Sequence, residues 1–503
     1  MNAQPNFDET EFTVRTFAEL LDAAKALQEG DTADVQALVS ECDDLTAVER
    51  HQVFLAIKSA TGIPLGTLKE QRQHGRDPEP DHLDLARQVI DAKGRKNVLC
   101  AESHVFGWDE RGVWTKLDDR AVKQDVQAGL DALPSVEVMS GTVNSVADVF
   151  KTEIFVQGHE FNLGNPEAVN CTNGQVELVS GHWQLKQHCR EDYRTTQIPV
   201  AYDPQATAPK FEAFLAQIFG GDADADNKRQ TLLELMGYTL MSHARHERFV
   251  ILIGVGANGK SVALSVLEAL CGADNVAGVQ PSNFDNRFQR AHLHMKLANV
   301  VTELRQGEVI ADAELKAITS GESATVEHKH KDPFVMRPFS TCWFGTNHMP
   351  STRDFSDALF RRATILTFNR VFAPSEQNPR LKDELLSELP GILKLALEAY
   401  ADGLESGFTR PASSEAAKNE WRLEADQVAM FVDEACERDS YAQTPASDVY
   451  RAYKAWAADS GIQNTVSAKS MRQRLTKLGY GEGRDMHARY FTGLRVTQSP
   501  HPW

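Results

Sequence analysis

The chain contains 503 residues, of which 42% are hydrophobic and 25% are charged, an ordinary balance for a globular protein. This length is too great for one hydrophobic core and predicts roughly three or four domains. The formal net charge of −18 argues against a simple nucleic-acid coat, because phosphate binding depends on Lys and Arg. Any DNA-binding site must therefore be a small basic feature of an acidic protein.

The N-terminus and the cysteines indicate the compartment. The first residues, MNAQPNFDETEF, are acidic and lack the basic-then-apolar pattern of a signal peptide. The sequence has no run of about 18 apolar residues, so we expect no membrane partner. The seven cysteines are scattered and include no C-x-x-C pair, which favours reduced thiols over disulfides or a metal cluster. We therefore expect a cytoplasmic protein.

The sequence pattern divides the chain into five regions. Apolar residues at helical spacing dominate the N-terminus, short strand-like pieces with turn signals follow, and a compact unit closes the chain. The expected regions are a helical accessory domain at 1–75, a small mixed α+β domain at 82–205, a domain of buried strands with preceding helices at 206–375, a helical connector at 376–424 and a C-terminal domain at 425–503.

The glycine-rich stretch LIGVGANGKS, residues 252–261, fits two phosphate-binding patterns. Gly254, Gly256 and Gly259 match the G-x-G-x-x-G of dinucleotide folds, whereas residues 254–261 match the G-x-x-x-x-G-K-[ST] of P-loops. The preceding FVILI is typical of a buried parallel strand, and SVALSVLEALCG is typical of a helix that ends at a glycine. A strand, a loop and a helix suit both patterns.

An acidic residue decides between the two patterns. A dinucleotide fold needs one about 20 positions on, at the end of the next strand. Asp274 lies at that distance but directly follows the helix, before any second strand. The P-loop pattern uses every residue, with Lys260 neutralising the β and γ phosphates of ATP and Ser261 binding Mg²⁺. The expected phosphate-binding residues are Gly254, Gly256, Asn258, Gly259, Lys260 and Ser261. We therefore expect an α/β fold whose P-loop core is a parallel sheet with flanking helices.

Two later strands end in polar residues that suit a nucleotide hydrolase. The apolar strand predicted within KLANVVTEL is followed by the acidic Glu303, as a Walker B strand should be. Glu303 is therefore expected to bind Mg²⁺ and support catalysis. The strand predicted within STCWFGTNHMP ends in the polar Asn347, where a sensor of the γ-phosphate would lie. A solvated Glu and a turn Asn remain the alternatives.

Paired arginines precede a further apolar strand in DALFRRATILTF. Arginines at the end of a helix can simply complement its dipole. An arginine finger, which stabilises the transition state in a neighbouring subunit, is also supplied from such positions. We expect Arg362 to be the finger, with Arg361 as the alternative.

The order of these motifs resembles the superfamily 3 helicases of viruses, phages and plasmids, which are AAA+ ATPases. GVGANGKS resembles their Walker A motif, NVVTE their Walker B, LKAITSGESATVEHKHKDPF their B-prime motif and FGTNHMP their motif C. Within that family the sequence is most similar to phage and plasmid primase-helicases related to poxvirus primase-helicase. The likeness extends over about 85 to 500, including VAYDPQATAPKFEAFLAQIF before the P-loop.

The sequence departs from this family at two points. Many relatives carry paired acids at Walker B, whereas here Thr302 precedes Glu303, which must act alone. Long relatives also carry an N-terminal primase domain. The first 80 residues here are too short for one and show no spaced acidic set for polymerisation metals, so we do not expect primase activity. A separate primase or polymerase is therefore a candidate partner.

The B-prime segment supplies the small basic feature that the net charge requires. In TVEHKHKDPF the cluster of Lys329, His330 and Lys331 precedes an Asp-Pro turn, and the flanking alternation predicts a hairpin. A solvated turn is the alternative. The resemblance implies that this hairpin grips single-stranded DNA in the channel of a homo-hexamer, where six copies would line one path.

The C-terminal region predicts two or three helices and a β-wing. The helix SAKSMRQRLTKLGY carries Arg472, Arg474 and Lys477, and the resemblance implies a winged-helix DNA-binding domain. A merely solvated basic helix is the alternative.

Three functions remain in competition. The first is a hexameric ATP-dependent DNA helicase, 3′ to 5′ by resemblance, that acts on single-stranded and forked DNA during replication of a mobile element. The second is a replication initiator that uses ATP only to assemble. The third is a P-loop kinase of a small molecule, for which the sequence offers neither an Arg-rich lid nor a substrate pocket. We favour the helicase.

Overall fold

The computed structural model describes residues 15–74, 80–133, 138–305, 307–329, 331–352, 357–460, 462, 465–484 and 488–497. The chain forms two compact units, one made of residues 1–96 and 118–155 and the other of residues 97–117 and 156–503. Among the described residues, no helix is both long enough and apolar enough to span a bilayer.

The first unit begins with helices whose ends are set by local capping. Thr46 accepts a hydrogen bond from the Glu49 backbone N–H, and the Glu49 carboxylate accepts one in return from the Thr46 N–H. The same helix ends at Gly62 with φ +75°, a conformation that favours glycine. Buried apolar residues of these helices share one core. The helices are α1 (Phe17–Ala26), α2 (Thr32–Glu41), α3 (Ala47–Thr61) and α4 (Leu65–His74).

Further helices of the first unit pack against one another: α5 (His82–Lys93), α6 (Asp119–Asp131) and α7 (Ser140–Glu153). Asp81 caps α5 by accepting hydrogen bonds from two backbone N–H groups of its first turn. A Cβ at Gly129 on α6 would lie 2.7 Å from a methyl of Val89, so α5 and α6 approach each other closely there. The helical pattern expected for the N-terminal region is therefore present.

The second unit begins with two antiparallel three-stranded sheets and two helices. One sheet contains β1 (Val98–Ala101), β2 (His104–Trp108) and β3 (Trp114–Leu117), and the other β4 (Ala168–Cys171), β5 (Gly174–Val179) and β6 (His182–Lys186). They are followed by α8 (Pro209–Ile218) and α9 (Ala225–Thr239). Antiparallel strands joined by turns are thus found where the sequence showed short strand-like pieces with turn signals.

A five-stranded parallel sheet forms the centre of the second unit, in the order β13-β7-β12-β9-β8. Val250 and Leu252 of β7 belong to one hydrophobic cluster, whereas Phe249 and Ile251 belong to another. Both faces are therefore covered, which explains the continuous apolar strand sequences. Its strands are β7 (Phe249–Ile253), β8 (Val276–Ala277), β9 (Ala298–Val301), β12 (Thr341–Thr346) and β13 (Ala363–Thr367).

Helices and one hairpin surround this sheet. The hairpin is formed by β10 (Ala324–Val326) and β11 (Phe334–Met336), which pair antiparallel. The helices are α10 (Lys260–Cys271), α11 (Arg287–Arg290), α12 (Asp312–Thr319), α13 (Asp357–Phe360), α14 (Leu381–Leu386), α15 (Leu389–Ser406) and α16 (Ala412–Ala425).

The C-terminal part packs helices on a three-stranded antiparallel sheet of order β14-β16-β15. Its core contains the rings of Phe431, Tyr453 and Trp456, which contact one another. The elements are α17 (Gln427–Ala435), β14 (Cys436–Pro445), α18 (Ala446–Asp459), α19 (Ala468–Lys477), β15 (Gly481–Arg484) and β16 (Arg489–Val496).

The mixed α/β class and the parallel sheet are thus confirmed. The assignment of the C-terminal part to the winged-helix class and the five domain limits remain predictions.

Candidate nucleotide site and basic hairpin

The glycine loop and the polar residues after two other strands meet at one edge of the parallel sheet. Gly254 directly follows β7, Glu303 lies two residues after β9, and Asn347 directly follows β12. Because β12 pairs in parallel with both β7 and β9, the three carboxyl ends lie side by side. The segments enclose a cavity of about 310 Å³. Its lining residues are Gly256, Ala257, Asn258, Gly259, Lys260, Ser261, Val262, Thr302, Glu303, Thr346 and Asn347.

The loop shape depends on glycine at the start of α10. Gly259 has φ +90°, and a Cβ there would lie 2.7 Å from Cγ2 of Ile218 on α8. Any side chain would therefore be both strained and crowded. Gly259 directly precedes the 12-residue helix α10, so the positive end of that helix dipole points toward the cavity.

Asn258 is a support of the loop rather than an open contact. It is 2% exposed, and its amide Nδ2 donates to the Phe368 carbonyl at 3.3 Å. Its Oδ1 accepts from the Lys260 ammonium at 3.1 Å. The side chain thus links the loop to the segment after β13, and only its backbone is left to face a ligand.

Lys260 carries the positive charge of the cavity. Its ammonium donates to the carbonyl oxygens of Gly254 and Val255 and lies 3.3 Å from Oδ1 of Asn347. Burial lowers the pKa of Lys260, and the negative charge of Glu303 partly opposes this effect. These partners are uncharged oxygens, and charge-assisted bonds to anionic oxygens are stronger. The ammonium is therefore well placed to exchange them for phosphate.

Glu303 and Asn347 are exposed on the cavity wall, and the strands behind them are tightly packed. A Cβ at Gly345 on β12 would lie 2.3 Å from the Thr302 carbonyl oxygen, so only glycine allows these strand ends to approach so closely. The expected set of Lys260, Ser261, Glu303 and Asn347 is therefore brought to one cavity.

Lys228 on α9 is a residue of this region that the sequence did not single out. Its side chain is 0% exposed, and its ammonium contacts Asp222 Oδ2 at 2.7 Å and donates to the Thr367 carbonyl at 2.9 Å. Thr367 ends β13 directly before Phe368, whose carbonyl holds Asn258. Lys228 therefore fixes the base of the loop. Its helical context gave no signal of this contact.

The basic cluster lies in the turn of the β10–β11 hairpin. Lys329 and Lys331 are exposed there, and His330 lies outside the described residues. The Lys331 N–H donates to the His328 carbonyl at 3.1 Å, and the His328 ring stacks on Phe334 at 5.6 Å. The expected hairpin is thus confirmed, while its role in DNA binding remains a prediction.

Arg362 does not have the exposure expected of an arginine finger. Its guanidinium donates to the Ala358 carbonyl and to Ser320 Oγ, each at 2.7 Å, and contacts Glu247 Oε2 at 2.7 Å. The residue is only 7% exposed, so these partners in its own chain occupy it. The Arg361 side chain is 65% exposed. Exposure therefore favours Arg361 over Arg362 as the candidate finger, and the role of either arginine remains a prediction.

The C-terminal basic helix also contains an arginine that is occupied within its own chain. The partly exposed Arg474 forms an ion pair with the buried Asp426, whose side chain is 3% exposed, so its charge is occupied within the chain. Arg472 lies 3.5 Å from Glu482, and Lys477 is exposed. Of the expected DNA contacts on α19, only these last two present charge at the surface.

Three family models match the chain. Residues 252–362 match a family of unknown function, DUF5906. Residues 86–220 match the model described as D5 N terminal like, and residues 423–480 match the model described as Poxvirus D5 protein-like.

The curated relatives that match are viral proteins. A protein of Acanthamoeba polyphaga mimivirus named "Putative helicase" is 21% identical over 72% of this chain and 40% of its own length. A protein of Invertebrate iridescent virus 3 with the same designation is 21% identical over 67% of this chain and 39% of its own length. The chain thus spans about two fifths of these relatives. Together with the D5-type matches, they support a member of the phage and viral primase-helicase family, the family that the motif order predicted.

A solved structure titled as the apo C-terminal region of NrS-1 aligns with 82% of this chain and 98% of its own. The TM-score is 0.46 and the sequence identity 11%, and a likeness of this size says nothing about activity.

Proposed function

We propose that the chain is an ATP-dependent DNA helicase that serves the replication of a phage, plasmid or other mobile element. The observation that carries this proposal is the convergence of Lys260, Glu303 and Asn347 on one cavity beside the glycine loop. Family membership with D5-type domains supports a helicase-like replication protein.

The cavity suits ATP and Mg²⁺ through the chemistry of its donors. Lys260 and the backbone of the loop would bind the β and γ phosphates, and the Ser261 hydroxyl and the Glu303 carboxylate offer the oxygen ligands that Mg²⁺ prefers. Bound Mg²⁺ would supply charge neutralisation on the phosphates. Glu303 would orient the attacking water, and Asn347 would contact the γ-phosphate.

Unwinding also requires a grip on DNA and communication between subunits. We propose that Lys329, His330 and Lys331 at the hairpin turn contact single-stranded phosphates, and that six subunits line one channel with these turns. Arg361, rather than the buried Arg362, is the proposed arginine finger toward the next subunit, because its side chain is exposed. The proposed polarity is 3′ to 5′.

Displacement of a labelled strand from a forked duplex, in the presence of ATP and Mg²⁺, tests this proposal. The expected result is displacement from forks with a 3′ tail and little from forks with only a 5′ tail. The Glu303→Gln protein, which should bind ATP but hydrolyse it slowly, is the matched control. ATP-dependent assembly on DNA without displacement by the wild type would favour the replication initiator instead.

A further inference from the structure

A second and larger cavity lies at the opposite edge of the parallel sheet. It has a volume of about 980 Å³, within the range of ligand sites. Its lining includes residues 242–245 and Glu247 before β7, His294 and Met295 before β9, and Pro338 and Phe339 before β12. These segments precede their strands, so the cavity, which we call the amino-edge cleft, is separate from the Lys260 cavity at the carboxyl ends.

The other walls connect the amino-edge cleft to the basic hairpin. They are formed by Glu102 and Ser103 between β1 and β2, by the loop 158–163 and by residues 333–335 of the hairpin. Val335 is 60% exposed, and the turn with Lys329 and Lys331 directly precedes this strand. A strand of nucleic acid held at the turn could therefore continue into the cleft.

The charges of the cleft favour an uncharged ligand over a phosphate. The carboxylate of Glu102 lies 2.9 Å from Nε2 of His294, and that of Glu247 lies 2.7 Å from Arg362. Arg245 and Arg337 are exposed beside these pairs, and so is the carboxylate-bearing Glu160. The cationic and anionic groups thus largely balance, in contrast with the hairpin turn.

Aromatic and hydrogen-bonding groups share the same wall. The rings of Phe161 and Phe339 are only partly buried. His159, beside Phe161, has a solvent-shielded Nε2 without a hydrogen-bond partner among the described residues. Burial lowers the pKa of His159, so its ring is neutral at pH 7 and can both donate and accept. Partly exposed rings with neutral polar groups match the chemistry of a nucleobase.

We propose that the amino-edge cleft binds unstacked bases of single-stranded DNA, while the hairpin turn binds the phosphates. This inference rests on the proposed function for its nucleic-acid substrate but not for ATP hydrolysis. The two contacts bind different parts of the strand: the bases stack on Phe161 and Phe339, and the phosphates contact Lys329 and Lys331. Stacking tolerates any sequence, which suits a protein that must travel along DNA.

Two oligonucleotides of equal length separate these contacts. One carries 2-aminopurine bases and the other an abasic sugar-phosphate backbone, and fluorescence anisotropy gives the Kd of each. The wild type should bind the base-containing strand roughly tenfold more tightly and quench 2-aminopurine. Phe161→Leu and Phe339→Leu keep an apolar side chain but remove the ring face, so each should lower this preference without changing the salt dependence of binding.

Control variants give the reverse pattern or none. Lys329→Ala should lower the salt dependence and leave the base preference, and Phe155→Leu, which removes an exposed ring outside the cleft, should change neither. Melting temperature and DNA-free ATPase report whether the leucine variants remain folded.

Equal binding of both strands by the wild type, or an unchanged preference in both leucine variants, would overturn the proposal. A change of oligomeric state in those variants, with no base preference in the wild type, would instead assign the cleft to a subunit contact. Absence of ATPase with the base preference retained would count only against the helicase.

Discussion

The Lys260 cavity and the hairpin turn both present lysines for phosphate, but they are built in opposite ways. Lys260 is 6% exposed and held by oxygens of the glycine loop and motif C, whereas Lys329 and Lys331 are exposed on a short turn. The first site is preorganised by its own fold, so one substitution should remove its chemistry. The second gains strength from repeated, salt-screened contacts, so its losses should be graded.

The largest expected effect is the loss of ATP hydrolysis in Lys260→Ala. The substitution removes the charge that would bind the β and γ phosphates, and no other lysine lines the cavity among the described residues. A phosphate-release assay should find no turnover above background. Lys382→Ala, at an exposed lysine on α14, is the matched control and should hydrolyse ATP normally. Wild-type turnover in Lys260→Ala would show that the Lys260 cavity is not the catalytic site.

Substitution of the exposed Arg361 and of the buried Arg362 should have different effects, the first on turnover and the second on stability. Arg361→Ala should keep its melting temperature and ATP binding but lose turnover by about 10³, because a finger acts only in the transition state. Arg362→Ala removes a buried guanidinium and its ion pair with the partly exposed Glu247, and should lose about 2 kcal/mol of unfolding free energy. Steady-state kinetics and thermal unfolding of the two proteins separate these outcomes.

A mixture tests whether the finger acts between subunits. Arg361→Ala and Lys260→Ala are each inactive, but some interfaces of a mixed ring would combine an intact loop with an intact Arg361. ATPase activity should therefore partly return on mixing. Mixed oligomers that stay inactive would show that Arg361 acts within its own subunit or is not the finger.

At the hairpin, Lys329→Ala combined with Lys331→Ala should weaken single-stranded DNA binding and reduce its salt dependence, since fewer counterions are released. DNA-free ATPase should stay nearly unchanged, because neither residue lines the Lys260 cavity. Binding titrations at several salt concentrations give the slope. An unchanged dependence of binding on salt concentration would mean that the turn is a solvated part of the surface and does not bind DNA.

The sequence predicted the nucleotide cavity because short apolar runs followed by polar residues mark the carboxyl ends of parallel strands. The arginines that form ion pairs within the chain were harder to foresee. Arg474 lies three residues after Met471 and directly before Leu475, both buried, so helical spacing could have shown that it faces the core. For Arg362 no local pattern distinguishes it from its neighbour, because its partners Ser320 and Glu247 are distant in sequence. The amino-edge cleft combines still more separate segments, and only the fold brings them together.

The smallest expected effect concerns the root of the hairpin, where His104 contacts Phe334 with ring centres 6.0 Å apart. Burial, aided by the charges of Lys116 and Lys331, lowers the pKa of His104 to about 4 from 6.5. A depressed pKa contributes stability that is present above the unfolded value of 6.5 and is lost as the pH falls through about 4. The full shift corresponds to an upper limit of about 3 kcal/mol, and solvent screening should reduce it to about 1–2 kcal/mol. His104→Asn should therefore lose less stability than the wild type between pH 7 and pH 5, measured by thermal unfolding, whereas His51→Asn, at an exposed histidine, should follow the wild type. An equal loss of stability on acidification in His104→Asn and the wild type would mean that the hairpin root is as open to solvent as the hairpin turn. The whole hairpin, and not only its turn, would then differ from the preorganised Lys260 cavity.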